Sequence, residues 1–281
     1  MGSEAVDLIK LSEIASKTRH DIIDMVYRAQ SGHIGGSLSI VEILVALYYK
    51  HMNVDPDNPM WAGRDRLILS KGHNAPALYA ILAGKGFFPA DWLQTSFRRI
   101  DGRLQGHPEM HKTPGIDMTT GSLGIGLSVA CGMAMGARIT RKDIWVYVVL
   151  GDGETNEGQI WEAAATAAHF GLGHIIAFVD KNKLQNDGFT ESVKNMEPME
   201  DKWAAFGWHT YQVDGHDIRQ LISVIEEAKQ QKNKPNVILC STIKGKGVSF
   251  MENSITFHGK SPNDQEFDEA MLELATSACT Q

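Results

Sequence analysis

Val146 to Gly158 reads VYVVLGDGETNEG, and this stretch decides the fold. A β-branched apolar run stops at Gly151-Asp152-Gly153, and a helical pattern begins near Glu157. A continuous apolar run of this kind fits a strand buried on both faces of a parallel sheet. Asp152 then stands at a strand's carboxyl end with almost no side chain around it. A short carboxylate there suits a hard cation, because Mg²⁺ and Ca²⁺ take oxygen donors. The flanking glycines let a bulky anion approach the backbone N–H groups. A tight strand-to-helix turn with Asp152 as a local cap explains these three residues equally well.

The same alternation runs outward in both directions. LSEIASKTRHDIIDMVYRAQ reads as a helix with Ser12 as candidate cap, and SLSIVEILVALYYK as another opened by Ser37. RLILS, IWVYVVL, HIIAFVD, WHTYQV and NVILCST are strand-like, and helical patterns such as APALYAILAGKG and DIRQLISVIEEAKQQ separate them. SLGIGLSVACGMAMGAR is a Gly- and Ala-rich helix, able to pack its backbone closely or weakened by its glycines. Apolar strands separated by helices predict an α/β fold: a three-layer, mostly parallel sheet with helices on both faces. No linker, repeat or charge block divides the chain, so residues 1–281 are expected to form a single domain. SPNDQEFDEAMLELATSACTQ closes it as an amphipathic helix and a frayed tail.

Charge and cysteine usage exclude several function classes. The net charge is −7 with no basic stripe, so the electrostatic footprint of a nucleic-acid binder is absent. Cys131, Cys240 and Cys279 are odd in number and far apart, which is no disulfide framework. MGSEAVDLIK lacks the pattern of a signal peptide, and no apolar run approaches the roughly 20 residues of a membrane helix. The expectation is a soluble protein of the reducing cytoplasm.

The next strand raises the weight of the metal reading. HIIAFVDKNKLQNDG carries Asp180-Lys181-Asn182 at its carboxyl end, and the 28 residues between Gly153 and Asn182 accommodate a helix and a strand. In such sheets ligands bind beyond the strands' carboxyl ends. Asp152, Asn182 and a main-chain carbonyl near Leu184 are therefore expected to meet around a metal diphosphate. No G-x-x-x-x-G-K-[ST] loop is present, and GSLGIG follows no strand.

Five of the 11 histidines follow a glycine. His33, His73, His107 and His258 stand in loop-like contexts, where an imidazole can reach a ligand. His174 and His216, at the start of a strand and of a helix, are read as packed or surface residues, with His20, His51, His169 and His209. No HExxH or short-spaced Cys/His cluster points to zinc.

GDG, roughly 30 residues, then Asn after an apolar strand resembles the thiamine-diphosphate-binding motif. SGHIGGSLS, LSKGHNAPALYAILAGKG, GHPEMHKTPGIDMTTGSLGIGLSVACGMAMGAR, GDGETNEGQIWEAAATAAHF and IKGKGVSFMENSITFHGK follow one another in the order seen in transketolases. The resemblance spans nearly the whole chain. Whole transketolases are more than twice as long, so the chain resembles the N-terminal, diphosphate-binding subunit of a bacterial split transketolase.

That resemblance implies roles for particular residues. Asp152, Asn182 and the Leu184 carbonyl would hold Mg²⁺ or Ca²⁺. His73, Gly153, Asn182 and His258 would contact the diphosphate of thiamine diphosphate. Gly121 and Leu123 would line its aminopyrimidine, and Lys71 and Lys244 would lie near the cofactor. His33, His107 and His258 would bond sugar hydroxyls and assist proton transfer. Glu157 matches an acid of the subunit interface, and is equally a carboxylate favoured at a helix start. Some relatives carry Gln four residues beyond the metal-binding Asn; here Asn186 stands there, with Gln185 just before it.

The implied activity is transfer of a two-carbon ketol unit from a ketose phosphate to an aldose. Xylulose 5-phosphate and ribose 5-phosphate are the default pair, and an unusual sugar phosphate of a catabolic route is equally compatible. The family's activating Glu lies in a later domain, which implies an α₂β₂ assembly with a C-terminal partner subunit. The segment from Gly121 to Gly136 would lie in its interface. Three rivals remain: the α subunit of a 2-oxoacid dehydrogenase, a synthase joining pyruvate to glyceraldehyde phosphate, and a non-catalytic module binding cofactor or metal.

Overall fold

The computed structural model describes residues 3–278; Cys279 and the last two residues lie outside them. Seven strands follow in chain order: β1 (Arg66–Leu69), β2 (Val146–Gly151), β3 (Ile175–Lys181), β4 (Leu184–Gln185), β5 (Gly188–Phe189), β6 (His209–Asp214) and β7 (Asn236–Ser241). Five form one sheet in the order β1-β2-β3-β7-β6, and every pairing in it is parallel. β4 and β5 form a separate antiparallel hairpin.

Alternate residues of the apolar strands feed two cores. Leu69, Tyr147, Val149, Phe178 and Ile238 face one side, while Val148, Leu150, Ala177, Val179 and Leu239 face the other. Both faces therefore need helices. The first core packs against α1 (Ser3–Ala29), α2 (Ile34–Leu38), α3 (Val41–Ala46), α4 (Ala75–Lys85) and the short α5 (Trp92–Thr95). The second takes α6 (Ile125–Ile139) and α7 (Gly158–His169). Then come α8 (Thr190–Lys194), α9 (Met199–Ala205), α10 (Ile218–Gln230) and α11 (Asp264–Ala278). α9 joins the second core through Trp203, and α10 joins the first through Leu221 and Ile225.

Two helix starts differ from the sequence reading. Ser12 lies inside α1, because the apolar face extends N-terminally through Leu8 and Leu11. Ser37 opens no helix: it lies in α2 and its hydroxyl donates to the His33 carbonyl at 2.6 Å. Ser39 then donates to the Gly36 carbonyl at 2.9 Å and to Asp180 Oδ2 at 2.7 Å. Hydroxyls bonded backwards compete with the helical ladder, and α3 restarts at Val41. Among the described residues no helix is long and apolar enough to cross a membrane.

Candidate functional site

Register brings the strand ends level. Gly151 pairs with Asp180, and Asp180 with Cys240, so Asp152, Asn182 and Thr242 leave the sheet side by side. Asp152 is buried; its Oδ1 accepts from the Gly153 N–H and its Oδ2 from the Lys183 N–H, both at 2.7 Å. Asn182, also buried, donates from Nδ2 to Asp180 Oδ2 at 2.7 Å and accepts at Oδ1 from the Leu184 N–H at 3.0 Å. Asp180 thus fixes which end of the Asn182 amide faces the cleft.

Two carboxylates buried together demand positive charge. Burial, with the like charge of Asp180, pushes Asp152 up to about 7. Burial alone would raise Asp180 too, but the Lys71 ammonium paired with it holds it below its ordinary range. The Thr242 hydroxyl donates to its other oxygen. Lys244 comes in from beyond β7, its Nζ 3.3 Å from the Leu184 carbonyl oxygen and 2.8 Å from His258 Nδ1. Burial, and Lys71 nearby, push Lys244 down to about 8.

The opposite wall is a cluster of imidazoles. Ring centroids of His33 lie 5.1 Å from His73, 5.4 Å from His258 and 6.4 Å from His107. Burial pushes His33 and His258 down to about 4, His73 to about 2, and lowers His107. These rings are neutral at pH 7, each with one donor and one acceptor nitrogen. Between pH 6.5 and 4 the unfolded chain binds protons that the folded rings refuse, so stability falls as pH falls. A loss of about 1 kcal/mol per pH unit is expected there from His73, the most buried of them, and less from half-buried His33 and His258, with the raised Asp152 working in the opposite sense. Urea unfolding at pH 7 and pH 5 measures it, and equal stabilities would contradict the neutral cluster.

Between the walls lies a cleft of about 390 Å³, which Gly121, Leu123, Gly153 and Glu157 also line. His107 stands at its rim, where a Cβ on Gly121 would approach its ring to 3.6 Å. Glu157 is exposed and precedes α7 without a capping bond from its side chain. Buried polar atoms without partners cluster at the cleft: His33 Nδ1, both amide atoms of Asn74, Asn156 Oδ1 and Gln185 Oε1. Leaving such atoms unmet costs about 1–3 kcal/mol each, so they mark a place for a polar ligand. Among the described residues no three His, Cys, Asp or Glu side chains could hold a metal ion together. Asp152, the Asn182 amide and the Leu184 carbonyl supply three oxygens with one charge. That donor set fits a hard divalent ion whose remaining positions are filled by ligand oxygens.

Sequence reasoning missed one residue that builds this site, Glu154, and left a second, Gln185, without a role. Glu154 is buried and accepts from Ser70 Oγ, from the Gly124 N–H at 2.9 Å and from the Gly151 N–H at 3.0 Å. It ties three loops together, and Gly124, at φ 86°, supplies the turn that presents its N–H. Gln185 sits beside Gly153, whose Cβ would lie 3.0 Å from the Gln185 Cβ. Asn186 also lines the cleft, but its amide donates to Asp187 at 3.0 Å.

The model of the transketolase thiamine diphosphate binding domain matches residues 11–277. The chain belongs to the transketolase family. It is 48% identical to a 6-deoxy-6-sulfo-D-fructose transketolase subunit of a Clostridium species, over 95% of this chain and 96% of that one. It is 40% identical to an apulose-4-phosphate transketolase subunit of Phocaeicola vulgatus, over 93% and 92%. A solved transketolase of Pichia stipitis superposes with a TM-score of 0.90 and 31% identity over 94% of this chain, yet the match takes up 40% of that protein. This transketolase-family chain therefore spans nearly all of relatives named as subunits and about two fifths of the solved enzyme.

Proposed function

We propose that this chain is the diphosphate-binding subunit of a transketolase, completed by a C-terminal partner subunit that carries the activating Glu. Residues 1–281 would form a single domain of a cytoplasmic α₂β₂ assembly. The observation that carries this reading is the meeting of the Asp152–Asn182–Leu184 oxygens with four neutral imidazoles across a cleft of unsatisfied polar atoms. Asp152, Asn182 and the Leu184 carbonyl would hold Mg²⁺ or Ca²⁺. His73, Gly153, Asn182, His258, Lys71 and Lys244 would meet the diphosphate side, and Gly121 and Leu123 the aminopyrimidine. Thiamine diphosphate, when bound, supplies the nucleophilic carbon that cleaves and remakes the ketose carbon–carbon bond.

The remaining work belongs to the protein. His33, His107 and His258, being neutral, can accept a proton from one sugar hydroxyl and return it to another. Burial, with Lys244 2.8 Å away, keeps the His258 ring from protonating at rest. Leu123, which lines the cleft, and Ile125 two residues on stand exposed, which supports placing the partner there. Glu157 would lie at that interface. The relatives named for a sulfonated ketose and for a sugar phosphate suggest a ketose with a terminal anion as donor.

Product analysis of this chain mixed with its partner tests the reading. A two-carbon unit from xylulose 5-phosphate or from a 6-sulfonated ketose is expected on an aldose acceptor. Decarboxylation of pyruvate instead would place the chain among 2-oxoacid dehydrogenases.

A further inference from the structure

His216 reads in sequence as an ordinary residue near a helix start; the structure places it in a relay behind the cleft. Arg19 of α1 reaches Glu42 of α3 at 2.7 Å, and both are buried. Glu42 Oε2 lies 3.0 Å from His216 Nδ1. On the other side of the ring, Nε2 accepts the Ile243 N–H at 2.8 Å. A backbone N–H can only donate, so Nε2 carries no proton and the ring proton sits on Nδ1, facing Glu42. Burial alone would raise Glu42, but Arg19 and the His216 bond outweigh it and hold the carboxylate ionised.

Ile243 is the residue before Lys244, and the backbone around that lysine is pinned on every side. Arg19 Nε donates to the Lys246 carbonyl at 3.0 Å, and the Gly245 N–H donates to the Gly35 carbonyl at 2.9 Å. The Lys244 carbonyl accepts from the Asn253 N–H at 2.9 Å. Gly35 is needed for the close approach, since a Cβ there would meet the Phe257 carbonyl oxygen at 2.8 Å. The outer side of the relay borders a groove of about 770 Å³, where Arg19 pairs with Glu42 and Lys246 with Glu252.

We infer that Arg19, Glu42 and His216 are positioning residues that set the Ile243 amide and thereby aim Lys244 at the cofactor diphosphate. This rests on the reading of Lys244 as a cofactor contact. His216 touches no ligand itself. Its fixed tautomer holds one backbone N–H, as outer residues hold ligand-bearing groups at metal centres.

The test is a double-mutant cycle on the complete chain assembled with its partner subunit, read as affinity for thiamine diphosphate with Mg²⁺ by calorimetry. His216→Phe is expected to weaken binding about tenfold, because it leaves the part-buried Ile243 N–H without an acceptor. In a Lys244→Met background the same change is expected to cost less than about twofold, since a residue acting through Lys244 loses its effect with it. His216→Gln, with an acceptor for Ile243 and a donor for Glu42, is expected to bind within about threefold of the unmodified chain. Equal weakening in both backgrounds would overturn the inference, as would no weakening by His216→Phe when Lys244→Met itself weakens binding. If Lys244→Met changes nothing, the cofactor-contact reading fails and the inference with it. Should His216→Phe not fold, ¹⁵N NMR of the unmodified chain decides: the His216 proton is expected on Nδ1, and a proton on Nε2 would overturn the relay.

Discussion

Asp152→Ala is expected to lose binding of thiamine diphosphate with Mg²⁺ by at least about 100-fold, since removing one partner of a buried charge pair costs about 3–5 kcal/mol. Asp152 is the one anionic donor among the three proposed ligands, and the diphosphate is itself an anion. Without that carboxylate the metal is held by two neutral oxygens. The variant's metal-free fold should suffer much less. In the absence of a cation, burial and the like charge of Asp180 both work against an ionised Asp152. What is lost is the anchoring of the Gly153 and Lys183 N–H groups. Calorimetric titration and thermal unfolding of the same sample separate the two effects. Unchanged cofactor affinity would refute the assignment.

Asp180→Ala should act in the opposite sense, on folding first. Its carboxylate is fully buried and pairs with Lys71, while Ser39, Thr242 and Asn182 donate to it. Removing it strands the buried Lys71 ammonium and leaves the Thr242 hydroxyl and the Asn182 amide N–H unmet. Breaking a buried pair by deleting one partner costs about 3–5 kcal/mol. Asp180→Asn keeps an acceptor but not the charge, and should fall between the two. Urea midpoints at constant m-value measure this ordering. An Asp180→Ala chain as stable as the unmodified one would mean that Lys71 finds another counter-charge.

The strand ends were legible because a polar residue that interrupts an apolar run stands out locally. Asp152 and Asn182 do so, and the parallel register places both at one edge of the sheet. Asp180 was not legible as a centre. Its partners Lys71, Ser39 and Thr242 lie 109, 141 and 62 residues away, and nothing near Asp180 in sequence announces them. Ser37 fits a helix start by composition, but its hydroxyl is bonded backwards to His33, as that of Ser39 is to Gly36. Glu154 is one residue past a glycine turn and reads as an ordinary acid of a helix start; only the folded chain brings Gly124 and Ser70 to it. The four loop histidines were separable from the rest by their Gly-rich surroundings. His216 follows a glycine too but reads as a helix-start residue, and its partners Glu42 and Ile243 are distant in sequence.

The proposed division of labour is that this chain clamps the metal diphosphate while its partner activates the cofactor. Ketol transfer from xylulose 5-phosphate to ribose 5-phosphate, and from a 6-sulfonated ketose to the same acceptor, tests it most directly. The chain is assayed with thiamine diphosphate and Mg²⁺, first alone and then with its C-terminal partner subunit. No turnover alone and turnover from at least one donor in the mixture is the result expected. Turnover by the chain alone would contradict the account, because it would mean that the activating group lies within these 281 residues.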